Sequence, residues 1–285
     1  MYTRTAVASA LTLAAGLVRA EDAIFVGDKA ADVSLDTWES VANQPNASST
    51  AKFTGVDFTK AYPGEPKDGW ELTISVKNNL TGPGDEGFFT GTTMSIAFPE
   101  GGDDAEADDS WHFCLYTFIV HPSSATSDGF VAGSDPSCMN LVGGECIDDL
   151  KKYAVDNYAK DSCPTFKTTA SCLRDLDEQR PSALSVSAGN ASDYFITGVP
   201  FYRRVDGTYG TEGENAEIFE TANNQPMAVV AVFGPSGDSE EKPRAEAACV
   251  MPGAAEASES AASTQAASFL GLTAVTFAAA LALYL

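Results

Sequence analysis

Positive charge is scarce in this chain: 17 Lys and Arg stand against 40 Asp and Glu in 285 residues, for a formal net charge of −23. A surface of that sign repels phosphate backbones and acidic headgroups, so nucleic acid and an anionic lipid face are excluded as partners. Histidine is also scarce, with only His112 and His121. There is no Cys-x-x-Cys pair and no Gly-x-Ser-x-Gly elbow, which removes the usual sequence signatures of a zinc site and of a serine hydrolase. No repeat of fixed period is visible. The aromatic and aliphatic content is nevertheless that of a folded domain and not of a disordered acidic tail.

The two ends of the chain carry its clearest signals. Arg4 followed by the apolar run Ala6 to Val18 and the small-residue site Val18-Arg19-Ala20 has the pattern of a secretory signal, residues 1–20, cleaved before Glu21. Loss of Arg4 and Arg19 takes the net charge from −23 to −25. At the other end, residues 269–285 are apolar apart from Thr273, Thr276 and Tyr284, and follow an Ala/Ser-rich stretch, 251–268. Small residues, a polar spacer and an apolar tail form the signal for a glycosylphosphatidylinositol (GPI) anchor, with Ser260 the favoured attachment residue and Ser258 or Gly253 the alternatives. Residues 21–250 are then an exported domain displayed on the outer face of a membrane or in a wall, touching the bilayer through lipid alone.

All six cysteines, Cys114, Cys138, Cys146, Cys163, Cys172 and Cys249, fall in that exported part, and an even count there implies disulfides. Proximity favours Cys138–Cys146 and Cys163–Cys172 as local staples. Cys114–Cys249 would then close a long loop worth about 4–5 kcal/mol in the chain-entropy picture. Asn46, Asn79 and Asn190 head N-glycosylation sequons, each in a polar stretch between expected strands.

The interior of the domain reads as β. Trp70 to Lys77 alternates strictly between apolar and polar residues, the mark of a half-buried strand. Thr92 to Phe98 puts Met94, Ile96 and Phe98 on one face, and Trp111 to Val120 is apolar on both faces, which suits a central strand. Ala183–Ala188, Tyr194–Tyr202 and Met227–Phe233 are further strands, as are Val33–Trp38 and Ala51–Phe58. Asn78 to Gly87 and Gly234 to Arg244 read as loops. The expected fold is mainly β, an antiparallel β-sandwich. Residues 138–180 interrupt it with a Cys-rich helical insertion, in which Ile147, Leu150, Ala154 and Tyr158 recur at helical spacing and a second short helix covers Thr168 to Leu176.

Three segments, Trp111-His112-Phe113-Cys114, Glu145-Cys146-Ile147-Asp148-Asp149-Leu150 and Ala248-Cys249, resemble those of a group of secreted, GPI-anchored proteins of filamentous fungi. That group has no assigned activity. The resemblance therefore implies architecture and location and supplies no site.

Candidate chemistry is thin. His112 and His121 lie an odd number of residues apart on one expected strand and so point to opposite faces. Glu21 offers no N-terminal histidine to copper. The acidic run carrying Asp103, Asp104, Glu106, Asp108 and Asp109 could offer oxygens to calcium, without EF-hand spacing; a solvated loop is the simpler account. Trp38, Trp70 and Trp111, with Phe201, Tyr202 and Tyr209 beside Arg203-Arg204, are the aromatics that could stack on sugar rings, against core packing as the plainer role. No catalytic residue and no cofactor is assigned. The function expected is a structural or interaction role at a cell surface or wall, contacting wall polysaccharide or other surface proteins. The alternative is a carbohydrate-active hydrolase held at the same place, which would need carboxylates converging on a cleft.

Overall fold

The computed structural model describes residues 24–26, 30–99, 107–120, 138–160, 162–166, 171–172, 176, 182–187, 200–212 and 216–253. The expected signal peptide and hydrophobic tail, Asn190, Ser260, Asp103, Asp104, Glu106, His121 and most of the expected Thr168–Leu176 helix lie outside these residues.

Two sheets face each other. The first contains β1 (Ile24–Val26), β2 (Ala47–Val56), β3 (Pro66–Thr81), β4 (Phe88–Ala97) and β7 (Pro200–Gly210), in the spatial order β1-β7-β4-β3-β2. The second contains β5 (Trp111–Ile119), β6 (Ser182–Ser187), β8 (Met227–Pro235) and β9 (Arg244–Val250), in the order β6-β5-β8-β9. All pairings are antiparallel except β1 with β7. The fold is thus the expected mainly β sandwich with a disulfide-linked helical segment.

The alternation along β3 sends Trp70, Leu72 and Ile74 into the space between the sheets, where they meet Met94 and Ile96 of β4, Phe113 and Leu115 of β5, and Val229, Ala231 and Phe233 of β8. Trp70 is the hub: its ring lies against Phe53, Phe58, Phe98 and Phe233, and its Nε1–H donates to the Val56 carbonyl at 3.1 Å. Burying so large a ring with its one polar atom satisfied avoids the cost of an orphaned donor.

Each sheet also has a covered outer face. On the first sheet, α1 (Leu35–Asn43) sets Trp38 and Val41 against Leu80, Phe89 and Val205. Val33 to Trp38 was expected as strand; instead Ser34 caps a helix by accepting from the Thr37 N–H, and the apolar residues at Trp38 and Val41 follow helical spacing. On the second sheet, α2 (Met139–Val142) and α3 (Gly144–Asp156) cover the outward side chains of β5, β8 and β9. Cys146, Ile147, Leu150 and Ala154 make up the buried face of α3, as its periodicity predicts.

The disulfides hold this helical layer to the sheet. They join Cys114–Cys163, Cys138–Cys249 and Cys146–Cys172, so all three expected pairings are corrected. Cys114 on β5 and Cys249 on β9 cannot meet, because β8 runs between them. Two strand spacings are about 9–10 Å. Moreover, Cys114 is level with Val232 of β8 and Cys249 with Ala228, four residues further along. A disulfide tolerates at most about 7 Å between Cα atoms. Each strand cysteine instead takes one partner from the covering layer, and the third bond ties that layer to itself.

Candidate functional site

Towards one pole of the sandwich the inner face of the first sheet turns from apolar to polar. Beyond Met94 and Tyr202 come Thr92 and Arg204, paired across β4 and β7, and then Thr90 and Asp206. Arg204 Nε donates to Asp206 Oδ1 at 2.7 Å, and Thr92 Oγ1 donates to Asp206 Oδ2 at 2.6 Å. One step outward, Thr90 Oγ1 donates to Asn78 Oδ1 at 2.9 Å. Asp206 is buried, at 6% exposure. Desolvation pushes its carboxyl pKa above the ordinary range; the Arg204 charge and the Thr92 hydrogen bond oppose this without cancelling it. Tyr202, also buried, has its hydroxyl pKa pushed up chiefly by desolvation; that hydroxyl lies towards Arg204 without forming a well-shaped hydrogen bond.

The pair opens onto a cleft of about 220 Å³ between β7 and α4 (Ala216–Asn223), lined by Arg204, Asp206, Gly207, Ile218, Thr221 and Gln225 among others. Gly207 has φ +78°, and a Cβ there would lie 2.6 Å from the Ile218 side chain, so a glycine is what lets α4 close over the strand end. The strand is irregular here: Phe88 pairs with Gly210 but Thr90 with Asp206, an excess of residues on β7 of the kind that bends a strand.

A second polar group lies on the outer face of the other sheet. His112 is buried on β5, with Nε2 2.8 Å from Ser185 Oγ and Nδ1 3.1 Å from the Tyr158 hydroxyl. The Tyr158 hydroxyl also lies 3.0 Å from the Pro235 carbonyl. Both ring nitrogens are therefore engaged, which is how a buried imidazole is kept. His112 and the sulfurs of Cys114 and Cys163 lie within 4.8 Å of one another, but both sulfurs belong to one disulfide and offer no thiolate to a metal.

The remaining sequence candidates disperse. Trp38, Trp70 and Trp111 are each at most 1% exposed, as are Phe201 and Tyr202, so stacking on sugar rings by these aromatics is overturned. Tyr209 is half-buried and packs against Phe89. Asp108 Oδ1 accepts from the Ser110 N–H at 2.9 Å, and the Ser110 side chain first, then this backbone hydrogen bond, lower its pKa; the neighbouring Asp109 is exposed in the same turn. Asn46 and Asn79 are both exposed, and adjacent: the Asn78 N–H donates to Asn46 Oδ1 at 2.8 Å. Asn79 sits within β3, not in a loop, at a register shift where it adopts φ +54°.

The Arg204–Asp206 pair was missed in the sequence because Thr92, which completes it, is 114 positions from Asp206. The one local signal is the Tyr-x-Arg-x-Asp spacing of Tyr202, Arg204 and Asp206, which a strand places on one face. Comparisons of the chain with protein-family models, with curated proteins and with solved structures find no match.

Proposed function

We propose that the protein is a lipid-anchored, N-glycosylated module displayed on the outside of a cell, with a structural or interaction role there. The observation that carries this reading is the crowding of its tethering and glycan-bearing features at one pole. Asn46 and Asn79 are neighbours at the end of the β2–β3 ladder. The chain leaves the domain at the same pole: Ser49 Oγ donates to the Met251 carbonyl at 2.8 Å, and the Gly253 N–H donates to the Asn223 carbonyl at 2.6 Å. From Gly253 to Ser260 is seven residues, at most about 25 Å of extended chain. Attachment at Ser260 would tether the domain by this pole, glycans included, on a stalk of that length.

Two further features agree with a life outside the cytosol. The disulfides suit an oxidising compartment. The acidic surface keeps a crowded glycoprotein soluble. Among the described residues no helix is long and apolar enough to cross a membrane.

Treatment of intact cells with a phosphatidylinositol-specific phospholipase tests the reading. Release of the protein into the medium, with an apparent mass that drops on removal of N-glycans, is the expected result. Retention on cells after a phospholipase digestion that frees other GPI-linked proteins would refute it.

A further inference from the structure

We infer that the cleft between β7 and α4 is a binding site for a single neutral sugar ring, held by Arg204 and Asp206. This goes beyond the anchoring proposed above and stands or falls separately from it.

The ion pair is the first ground. Elsewhere the space between the sheets is filled by apolar side chains, and a buried ion pair seldom stabilises a fold better than hydrophobic residues of the same volume. Here the pair lies where the sandwich opens onto a cleft, with Asp206 at 6% exposure and the Arg204 side chain at 28%. A charged pair placed at a cavity, with a perturbed carboxyl, is the arrangement expected of a binding group.

The donor set is the second ground. Arg204 Nε is committed to Asp206 Oδ1 and the guanidinium also lies near the Tyr202 hydroxyl, but its two terminal nitrogens carry four N–H donors, more than that one hydroxyl can take. Each Asp206 oxygen accepts one hydrogen bond, from Arg204 or from Thr92, and retains a further lone pair. A donor group beside an acceptor group matches adjacent hydroxyls, each of which both gives and takes a hydrogen bond. Thr221 Oγ1 donates back to the Glu217 carbonyl, and Gln225 Nε2 donates to the Val120 carbonyl, so the Thr221 lone pairs and the Gln225 carbonyl oxygen remain as acceptors on the wall. Ile218 and Ala222 add an apolar surface of the kind the C–H face of a pyranose requires.

Charge and size narrow the class. Asp206 offsets Arg204, and Glu212, Glu217 and Glu220 are exposed on the flanking segments of an already acidic chain, so carboxylates and phosphates are disfavoured. A cleft of about 220 Å³ is smaller than the roughly 300–1,000 Å³ of sites for larger ligands, which fits one ring and not a run of polymer. The ring could be the end of an external polysaccharide or belong to the protein's own glycan, because Asn79 follows Asn78, which bonds to Thr90, the cross-strand neighbour of Asp206.

The test is saturation-transfer NMR on the purified full chain with D-glucose, D-mannose, D-galactose and N-acetyl-D-glucosamine. At least one should bind with a dissociation constant of order millimolar, as one ring's contact permits. Arg204→Gln and Asp206→Asn should each weaken it at least about tenfold, the loss expected when one charge-assisted partner is removed. Should either variant fail to fold, Thr221→Trp carries the test, since it changes only an exposed helix position on the cleft wall and should block binding by bulk. Glycosidase-trimmed protein and Asn79→Gln separate the two sources: binding that appears only after trimming assigns the occupant to the protein's own glycan, and unchanged binding assigns it to an external one. No binding of any of the four sugars at tens of millimolar, before or after trimming, or undiminished binding by folded Thr221→Trp, would overturn the proposal.

Discussion

Removing the Cys138–Cys249 disulfide should cost more stability than removing either of the others. The bond spans 111 positions, against 49 for Cys114–Cys163 and 26 for Cys146–Cys172. In the chain-entropy picture these separations correspond to about 4.8, about 4.1 and about 3.5 kcal/mol. The bonds overlap, so with Cys146–Cys172 intact the free path between Cys138 and Cys249 shortens. The cost is logarithmic in length, and this shifts the largest value by only a few tenths of a kcal/mol (about 0.2). Replacing each cysteine pair by alanine and unfolding the three variants in guanidinium chloride reads the order directly. A thiol titration under denaturing conditions adds an independent check: with the partners assigned correctly, each double variant exposes no free sulfhydryl. Appearance of two thiols in the Cys138→Ala/Cys249→Ala protein, or a larger loss for the Cys146–Cys172 pair than for Cys138–Cys249, would refute the reasoning.

Other consequences can be checked by similar means. Gly234→Ala should lose about 1–3 kcal/mol by overpacking, since a Cβ there would lie 2.2 Å from the Tyr158 ring; a chemical melt matching wild type would show that Tyr158 does not sit there. Tyr158→Phe removes the hydroxyl shared by His112 Nδ1 and the Pro235 carbonyl and should cost about 1–3 kcal/mol. The Asp206 carboxyl pKa is raised above its ordinary 3.8, so the folded state binds more protons than the unfolded one just above that value. Stability should therefore decline as pH rises from about 4 through the folded-state pKa, and this segment of the pH profile should be missing in Asp206→Asn; identical profiles would contradict the burial of Asp206. Asn46→Gln and Asn79→Gln should each remove one glycan's mass from the protein on a gel.

Much of the sandwich was legible because its strands obey the period-two rule. Trp70 to Lys77 alternates as a one-sided strand should, and Trp111 to Val120, apolar on both sides, is the strand between β6 and β8. The helical rhythm of Ile147, Leu150 and Ala154 was equally plain. What escaped was decided by tertiary context. β9, from Arg244 to Val250, has three alanines among its seven residues and carries little strand propensity; it pairs because β8 offers it a ladder and because every second side chain meets the helical layer. β7 runs on to Gly210, past charges at Arg203, Arg204 and Asp206 that argue locally against a buried strand. Two of those charges, Arg204 and Asp206, line the cleft, so the place where the pattern fails is also the place where the protein has room for a ligand. The cysteine pairing depended on strand order: with β8 between β5 and β9, the nearest cysteine in sequence was the wrong partner in every case.

Mass spectrometry of the C-terminal peptide of the native protein bears most directly on the account as a whole. Display by a lipid anchor predicts a last peptide that ends at Ser260, or at one of its small neighbours, and carries phosphoethanolamine linked to glycan. A last peptide that runs unmodified through the apolar segment to Leu285 would contradict it.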